Sequence, residues 1–380
     1  MTDLKKQSTE VLMVVFNRAT LAMVFLLSHF VCMDHCGAQP ATGDSVDSPV
    51  KIQLLSKQVA VEVENPDEHK FELYAVRDQI GAEPGPQART WQLVHQDGRK
   101  RVFYLLDAGK YVIVDKANQT THAVPALPVG NRKPLRITIG AETELETEFS
   151  LIHGGPALIG DEIGIGQSDE QLSIQYVSPF WLGRHEVTNE KYVAFLNARG
   201  RCDEAWLDLG SRKCRIKPGQ PNSFVTTKPK EPVVMVSLAG AQAYCEWLTE
   251  TTGKKHRLPT EVEWEKAARG SKSTLYSYGS RYVESLANQQ SGTIRDVGSF
   301  PASDRALFDM TGNVFEWMGN KYDATKADGP MNQALRGGSF VLDGMYLRNS
   351  FRMRQSPTVM TDDIGFRVLR EVQAKTAKGQ

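Results

Sequence analysis

The chain is short of the residues and patterns from which the commonest specialised chemistries are built. Its 380 residues include only five cysteines, Cys32, Cys36, Cys202, Cys214 and Cys245. Five is too few for a disulfide-built mini-protein, and no CxxC…CxxC pair outlines a zinc framework. GxSxG, HExxH and Walker A patterns are absent. Their absence argues against nucleophile-elbow hydrolases, zincins and P-loop NTPases. The eight histidines are scattered. His185 and His256 have no neighbour at metal-ligand spacing and read as structural. Neither sign of charge is in excess, with 45 Lys plus Arg against 45 Asp plus Glu. A globally basic nucleic-acid binder and an acidic solvating chain are therefore both disfavoured.

What is present is enough to fold. Hydrophobic residues make up 41% and charged residues 24%, which excludes a largely disordered chain. The length suggests two or three domains.

The N-terminus stands apart. Lys5, Lys6 and Arg18 precede the apolar run from Leu21 to Leu27, and Cys36-Gly37-Ala38 is followed by Gln39-Pro40. The run is shorter than the ~20 residues that span a bilayer. Basic residues, a short apolar stretch and small residues before a proline read as a secretory signal, with cleavage expected after Ala38. Residues 1–38 are thus expected to be a signal peptide or an N-terminal anchor. The protein is then exported to a periplasm, an envelope or the medium, with membrane attachment through this segment left open. Residues 39–49 are small and polar and read as a linker. In an oxidising compartment Cys202 and Cys214 could close a short loop as a disulfide, contributing about 2–3 kcal/mol. Cys245 lies in a helical pattern and reads as a small buried hydrophobe.

Residues 50–145 read as β. Short alternating runs at 51–55, 59–63, 101–106, 111–114 and 135–139 predict a small all-β, sandwich-like domain, and no chemistry clusters in it. The region 147–371 carries three capped helices. They begin at Thr188, Ser237 and Thr260, the last with Glu263 as a capping box, and stop at Gly200, near Gly253 and at Gly270. Beyond Gly270 the chain turns Gly-, Asn- and Asp-rich, a composition that often needs something besides a regular core to fix it, a bound cation being one candidate. Residues 372–380 form a polar tail.

Two stretches carry chemistry. In LFDMTGNVFEW (307–317), Asp309 and Glu316 are hard oxygen donors on a tight Gly-Asn turn. Carbonyls converging with two carboxylates suit calcium, and a solvated turn is the alternative. In LRGGSF (335–340) and DIGFRV (363–368), the glycines suit close backbone approach. Arg348, Arg352, Arg354 and Arg367 read either as one surface or as partners of internal carboxylates.

Together with FSLIHGG (149–155), FWLGRHEVTN (180–189), PVVMVS (232–237), AQAYCEWL (241–248), RLPTEVEWE (257–265) and VGSFP (297–301), these stretches resemble the sulfatase-modifying-factor family, that of the formylglycine-generating enzyme. The motifs keep the family order over about 225 residues. The resemblance implies an α+β fold related to C-type lectins, with much irregular structure held by calcium, preceded here by the small β domain. It implies calcium ligands at Asp309 and Glu316 through side chains and at Gly312 and Val314 through carbonyls. Asn288 and the Gln289 carbonyl match half of a second site, whose acidic loop is shortened to 293–296. The family's copper-binding cysteine pair falls at Leu342 and Leu347. Neither can ligate copper, so formylglycine formation by that route is not expected. The expected function is a non-catalytic module binding a peptide, protein or glycan through a groove at Asp343, Tyr346, Arg348, Asn349 and Arg352. An oxidoreductase without the copper-cysteine pair and a structural envelope-assembly component are the alternatives.

Overall fold

The computed structural model describes residues 58–65, 68–78, 89–107, 109–117, 120–126, 135–138, 147–323 and 332–372. The expected leader (1–38) and linker (39–49) lie outside them, as does the tail beyond residue 372.

The first seven strands form the β region: β1 (Gln58–Glu64), β2 (Phe71–Asp78), β3 (Arg89–Asp97), β4 (Arg101–Asp107), β5 (Gly109–Asp115), β6 (Thr120–Ala126) and β7 (Leu135–Thr138). They make a three-stranded sheet, β4-β1-β7, and a four-stranded sheet, β3-β2-β5-β6. Pairing is antiparallel except between β1 and β7. Alternation explains the burial. Val59, Val61 and Val63 of β1 face Phe71 and Leu73 of β2 and Ile113 of β5 in one core shared by both sheets. This is the expected sandwich.

The remainder mixes short strands with three helices. β8 (Phe149–Ile152), β11 (Phe180–Gly183), β14 (His256–Arg257) and β19 (Leu369–Glu371) form one sheet in the order β14-β19-β11-β8. β9 (Gly155–Ile159) pairs with β10 (Ser173–Val177), and β12 (Ile216–Pro218) with β13 (Phe224–Thr226). A last sheet, β17-β16-β15-β18, contains β15 (Phe315–Lys321), β16 (Gln333–Arg336), β17 (Met353–Gln355) and β18 (Ile364–Gly365). The helices are α1 (Asn189–Arg199), α2 (Leu238–Thr252) and α3 (Glu261–Ala268).

Each helix starts where its cap was read. Thr188 accepts from the Lys191 amide, Ser237 from Gly240, and Thr260 with Glu263 closes a full capping box. Gly200 and Gly253 end the first two helices in the left-handed conformation. The faces of α1 and α2 meet in an aromatic core of Tyr192, Phe195 and Tyr244, joined by Phe366 from the far end of the chain. That contact brings the C-terminal IGFR motif against the helices.

The sandwich lies against β9 and β10. Lys110 pairs with Glu162 at 2.5 Å and donates to the Ser273 carbonyl, and the Arg136 amide donates to the Tyr176 hydroxyl.

Candidate functional site

The turn 307–317 supplies an acidic cluster. Asp309 and Asn313 both hold positive φ, at 55° and 63°. Gly312 has no alternative: at φ 82° a Cβ there would lie 2.3 Å from the Asn288 carbonyl oxygen. This contorted backbone turns Asp309 inward, where its Oδ2 accepts from the Gly298 amide at 2.6 Å. Glu316, at the start of β15, is fully buried. Its two oxygens each take a 2.7 Å bond from Arg367, and Oε2 also accepts from the Trp264 indole. Arg367 completes its fork on the carbonyls of Gly183, Arg184 and Phe308.

A third carboxylate was not foreseen. Glu186, from the loop after β11, is 1% exposed. Its Oε1 accepts from Asn313 Nδ2 at 3.0 Å, and its Oε2 has no hydrogen-bond partner. The Asp309 carboxyl is close enough for its charge to act on Glu186. Burial first, then the neighbouring Asp309, push the Glu186 carboxyl well above its ordinary range. Burial likewise raises Asp309, against the pull of the Gly298 amide and Arg367. Three acids thus face one base. The two carboxyls left without a base, and the orphaned oxygen, fit a hard divalent cation that would hold them ionised, with carbonyls of the turn as further donors. Among the described residues, no three His, Cys, Asp or Glu side chains converge tightly enough to hold a metal by themselves.

Asn288 and Gln289 adjoin this cluster. The Asn288 amide donates to the Thr293 carbonyl and to Asn313, and its oxygen accepts from Ser291 at 2.6 Å. The shortened loop is therefore tied by hydrogen bonds within itself.

The position of the family's cysteine pair is apolar. Leu347 is fully buried with Tyr276 and Ala287, and Leu342 and Tyr278 pack on the same cluster. Gly338 of the RGGSF motif sits beneath it, where a Cβ would come within 2.2 Å of Leu347 Cδ2. No thiol is present here.

Around this plug, Tyr282, Val341, Met345 and Tyr346 are exposed at 42%, 52%, 53% and 39%. Of the residues expected to line a groove, Asp343 and Tyr346 reach the surface. Arg348 and Asn349 do not, and this corrects their placement. Arg348 is buried against Glu170 and Asp161, and Asn349 donates to the Thr274 carbonyl. Arg352 is half-buried, forked onto both oxygens of Glu261 at 2.8 Å and lying over the Tyr322 ring. Two buried carboxylates claim Arg348, and Glu261 claims Arg352, all far away in sequence.

The expected disulfide is a second correction, because Cys202 and Cys214 are free thiols. The Cys214 thiol is turned to the Ile216 carbonyl and Cys202 to that of Asp203. Burial pushes the Cys202 thiol up to about 11, and the adjacent Cys214 adds to the rise.

Comparison with known proteins agrees with the motif reading. Residues 138–372 match the sulfatase-modifying factor enzyme 1-like domain. The chain is 34% identical over 255 residues to a protein named serine/threonine-protein kinase Pkn1 from Chlamydia trachomatis, covering 60% of this chain. It spans only 39% of that relative's length. It is 34% identical over 269 residues to inactive C-alpha-formylglycine-generating enzyme 2 of Mus musculus, covering 57% of this chain and 84% of that one. Among solved structures, PvdO from Pseudomonas aeruginosa aligns over 59% of this chain and 94% of its own, with 28% identity and a TM-score of 0.49. The chain belongs to the sulfatase-modifying factor enzyme 1-like domain family.

Proposed function

We propose that the protein is an exported, non-catalytic member of this family, stabilised by calcium, whose surface around Tyr346 binds an extended polypeptide segment. The observation that carries the reading is the pair Leu342 and Leu347. Both lie in one apolar cluster where formylglycine-generating relatives place copper-binding cysteines. A leucine side chain neither binds a soft metal nor exchanges with a substrate thiol.

The exposed Tyr282, Val341, Met345 and Tyr346 favour a polypeptide over a glycan. Val341 and Met345 offer aliphatic contact, which suits apolar side chains better than sugar hydroxyls, and the tyrosines add a rigid amphipathic ledge. Calcium is supported by the acid excess at Glu186 and Asp309, since Arg367 already engages both oxygens of Glu316. Export is supported by the basic and apolar pattern of the first 38 residues.

The test has two arms. Oxygen uptake with copper and a cysteine-containing peptide should not exceed a protein-free control; thiol-dependent turnover by the wild type would overturn the non-catalytic reading. Binding to an array of extended peptides should yield defined sequences whose capture Tyr346→Asp abolishes. Capture unaffected by Tyr346→Asp and Met345→Asp would sink this surface as the docking site.

A further inference from the structure

Where the sandwich meets the family domain, a small cavity of about 20 Å³ is lined by His122, His153, Lys266, Arg269 and Arg305 among apolar neighbours. We propose that it binds a single inorganic anion of halide size between Lys266 and Arg305.

The charges make the case. Arg305 Nε is enclosed without a hydrogen-bond partner, and the guanidinium forms no salt bridge among the described residues. Its neighbour Asp304 acts on it only through its field, with Oδ2 accepting from the Ser271 amide and hydroxyl. Lys266, on α3, donates to the Gly155 and Pro156 carbonyls and meets no carboxylate among the described residues. Burial drives the Lys266 ammonium down to about 7, and Arg305 adds to the effect. Arg269 contributes nothing extra, because Glu265 and Glu162 already neutralise it.

Lys266 is buried and Arg305 half-buried, and two cations left unpaired in one cavity repel. Water can solvate them but cannot neutralise them. The rings of His122, from the sandwich, and His153, from the family domain, lie 4.7 Å apart and tilted by 45°, and burial keeps both imidazoles neutral. A neutral imidazole still has an N–H to donate. Among the described residues, no Asp or Glu lines the cavity.

Size selects the class. A volume near 20 Å³ admits one or two water-sized occupants. Chloride or bromide fits; phosphate, sulfate or a nucleotide does not. Because His122 comes from β6 and Lys266 from α3, the ion would tie the two domains together.

The experiment is thermal unfolding of the full chain at fixed pH and ionic strength, with sodium gluconate exchanged stepwise for chloride or bromide. The expected result is a saturable rise of a few degrees in wild type, lost in Arg305→Met and Lys266→Met. A rise of equal size in both variants would mean general salt action and overturn the site. Should the variants not fold, wild-type crystals soaked in bromide decide. An anomalous peak between Lys266 and Arg305 supports the proposal, and its absence overturns it.

Discussion

Two motif arginines, Arg336 and Arg367, are both buried and both forked onto glutamate, yet their surroundings differ in sum. Around Arg336 the charges balance. Arg336 and Arg269 share Glu265, Arg352 forks onto Glu261, and Glu162 takes the other arm of Arg269. Arg336 also donates to the carbonyls of Asn349, Ser350 and Phe351. Although burial opposes ionisation of Glu265, Arg336 and Arg269 hold its carboxyl below the ordinary range. Around Arg367 one base serves Glu316, Asp309 and Glu186, and the last two are raised. The first network is matched in charge and structural, with Arg336 Nε its one gap in hydrogen bonding. The second has acid left over, and that excess is what suits it to a cation.

The sharpest way to break this contrast is to open the matched network. Glu265→Gln leaves Arg336 and Arg269 buried and short of charge, and should cost about 3–5 kcal/mol in denaturant unfolding. The loss should be the same with calcium or with chelator. A calcium-dependent loss would mean that the two networks are not separate.

Gly312→Ala tests the scaffold of the second cluster. It forces a Cβ against the Asn288 carbonyl and strains a positive φ, so a loss of about 1–3 kcal/mol is expected. Calcium retained by dialysis should fall with it. A stable variant that holds calcium at wild-type level would detach the turn from the site.

A smaller effect should change sign. Glu186→Gln removes one of two facing carboxyls and keeps a group for Asn313 to bond. In chelator it should stabilise by about 1 kcal/mol, since a desolvated carboxyl facing another is replaced by a neutral amide. In calcium it should destabilise by a similar amount, and Asp309→Ala should abolish binding outright. The same sign under both conditions would remove the cation from the explanation.

The sequence exposed local devices well and long-range charge poorly. Thr188, Ser237 and the Thr260–Glu263 box could be read because a cap and its partner lie within one turn. The sandwich could be read because Val59, Val61 and Val63 alternate. Leu342 and Leu347 were legible through the family motifs that bracket them. Glu186 was not, although it sits within the quoted FWLGRHEVTN motif. Its partners Asp309 and Asn313 lie more than a hundred residues on, and spacing carries no such information. The one usable signal was an acid at a strand exit followed by buried Val187 and Thr188. Arg348 misled for the same reason: its partners, Asp161 and Glu170, precede it by 187 and 178 residues. Cys202 and Cys214 suggested a bridge by proximity in sequence, but their thiols point to separate carbonyls.

The smallest predicted effect sets the scale for both buried networks, because it concerns a pair that water reaches. In the turn between β3 and β4, burial of the Asp97 carboxyl resists ionisation. Hydrogen bonds from the Arg99 side chain and from the Arg99 and Gly98 amides outweigh it and hold the group at about 2. His95 stands on the other side, 3.4 Å from Oδ2. A carboxyl held below its unfolded value contributes stability above about pH 4, and that contribution fades as pH falls toward 2. The Arg99 side chain is 52% exposed, so solvent screens the pair. Asp97→Asn should therefore cost less than about 1 kcal/mol at neutral pH and nothing measurable near pH 2. A loss of several kcal/mol would place this turn with the buried networks and remove burial as the variable that separates them.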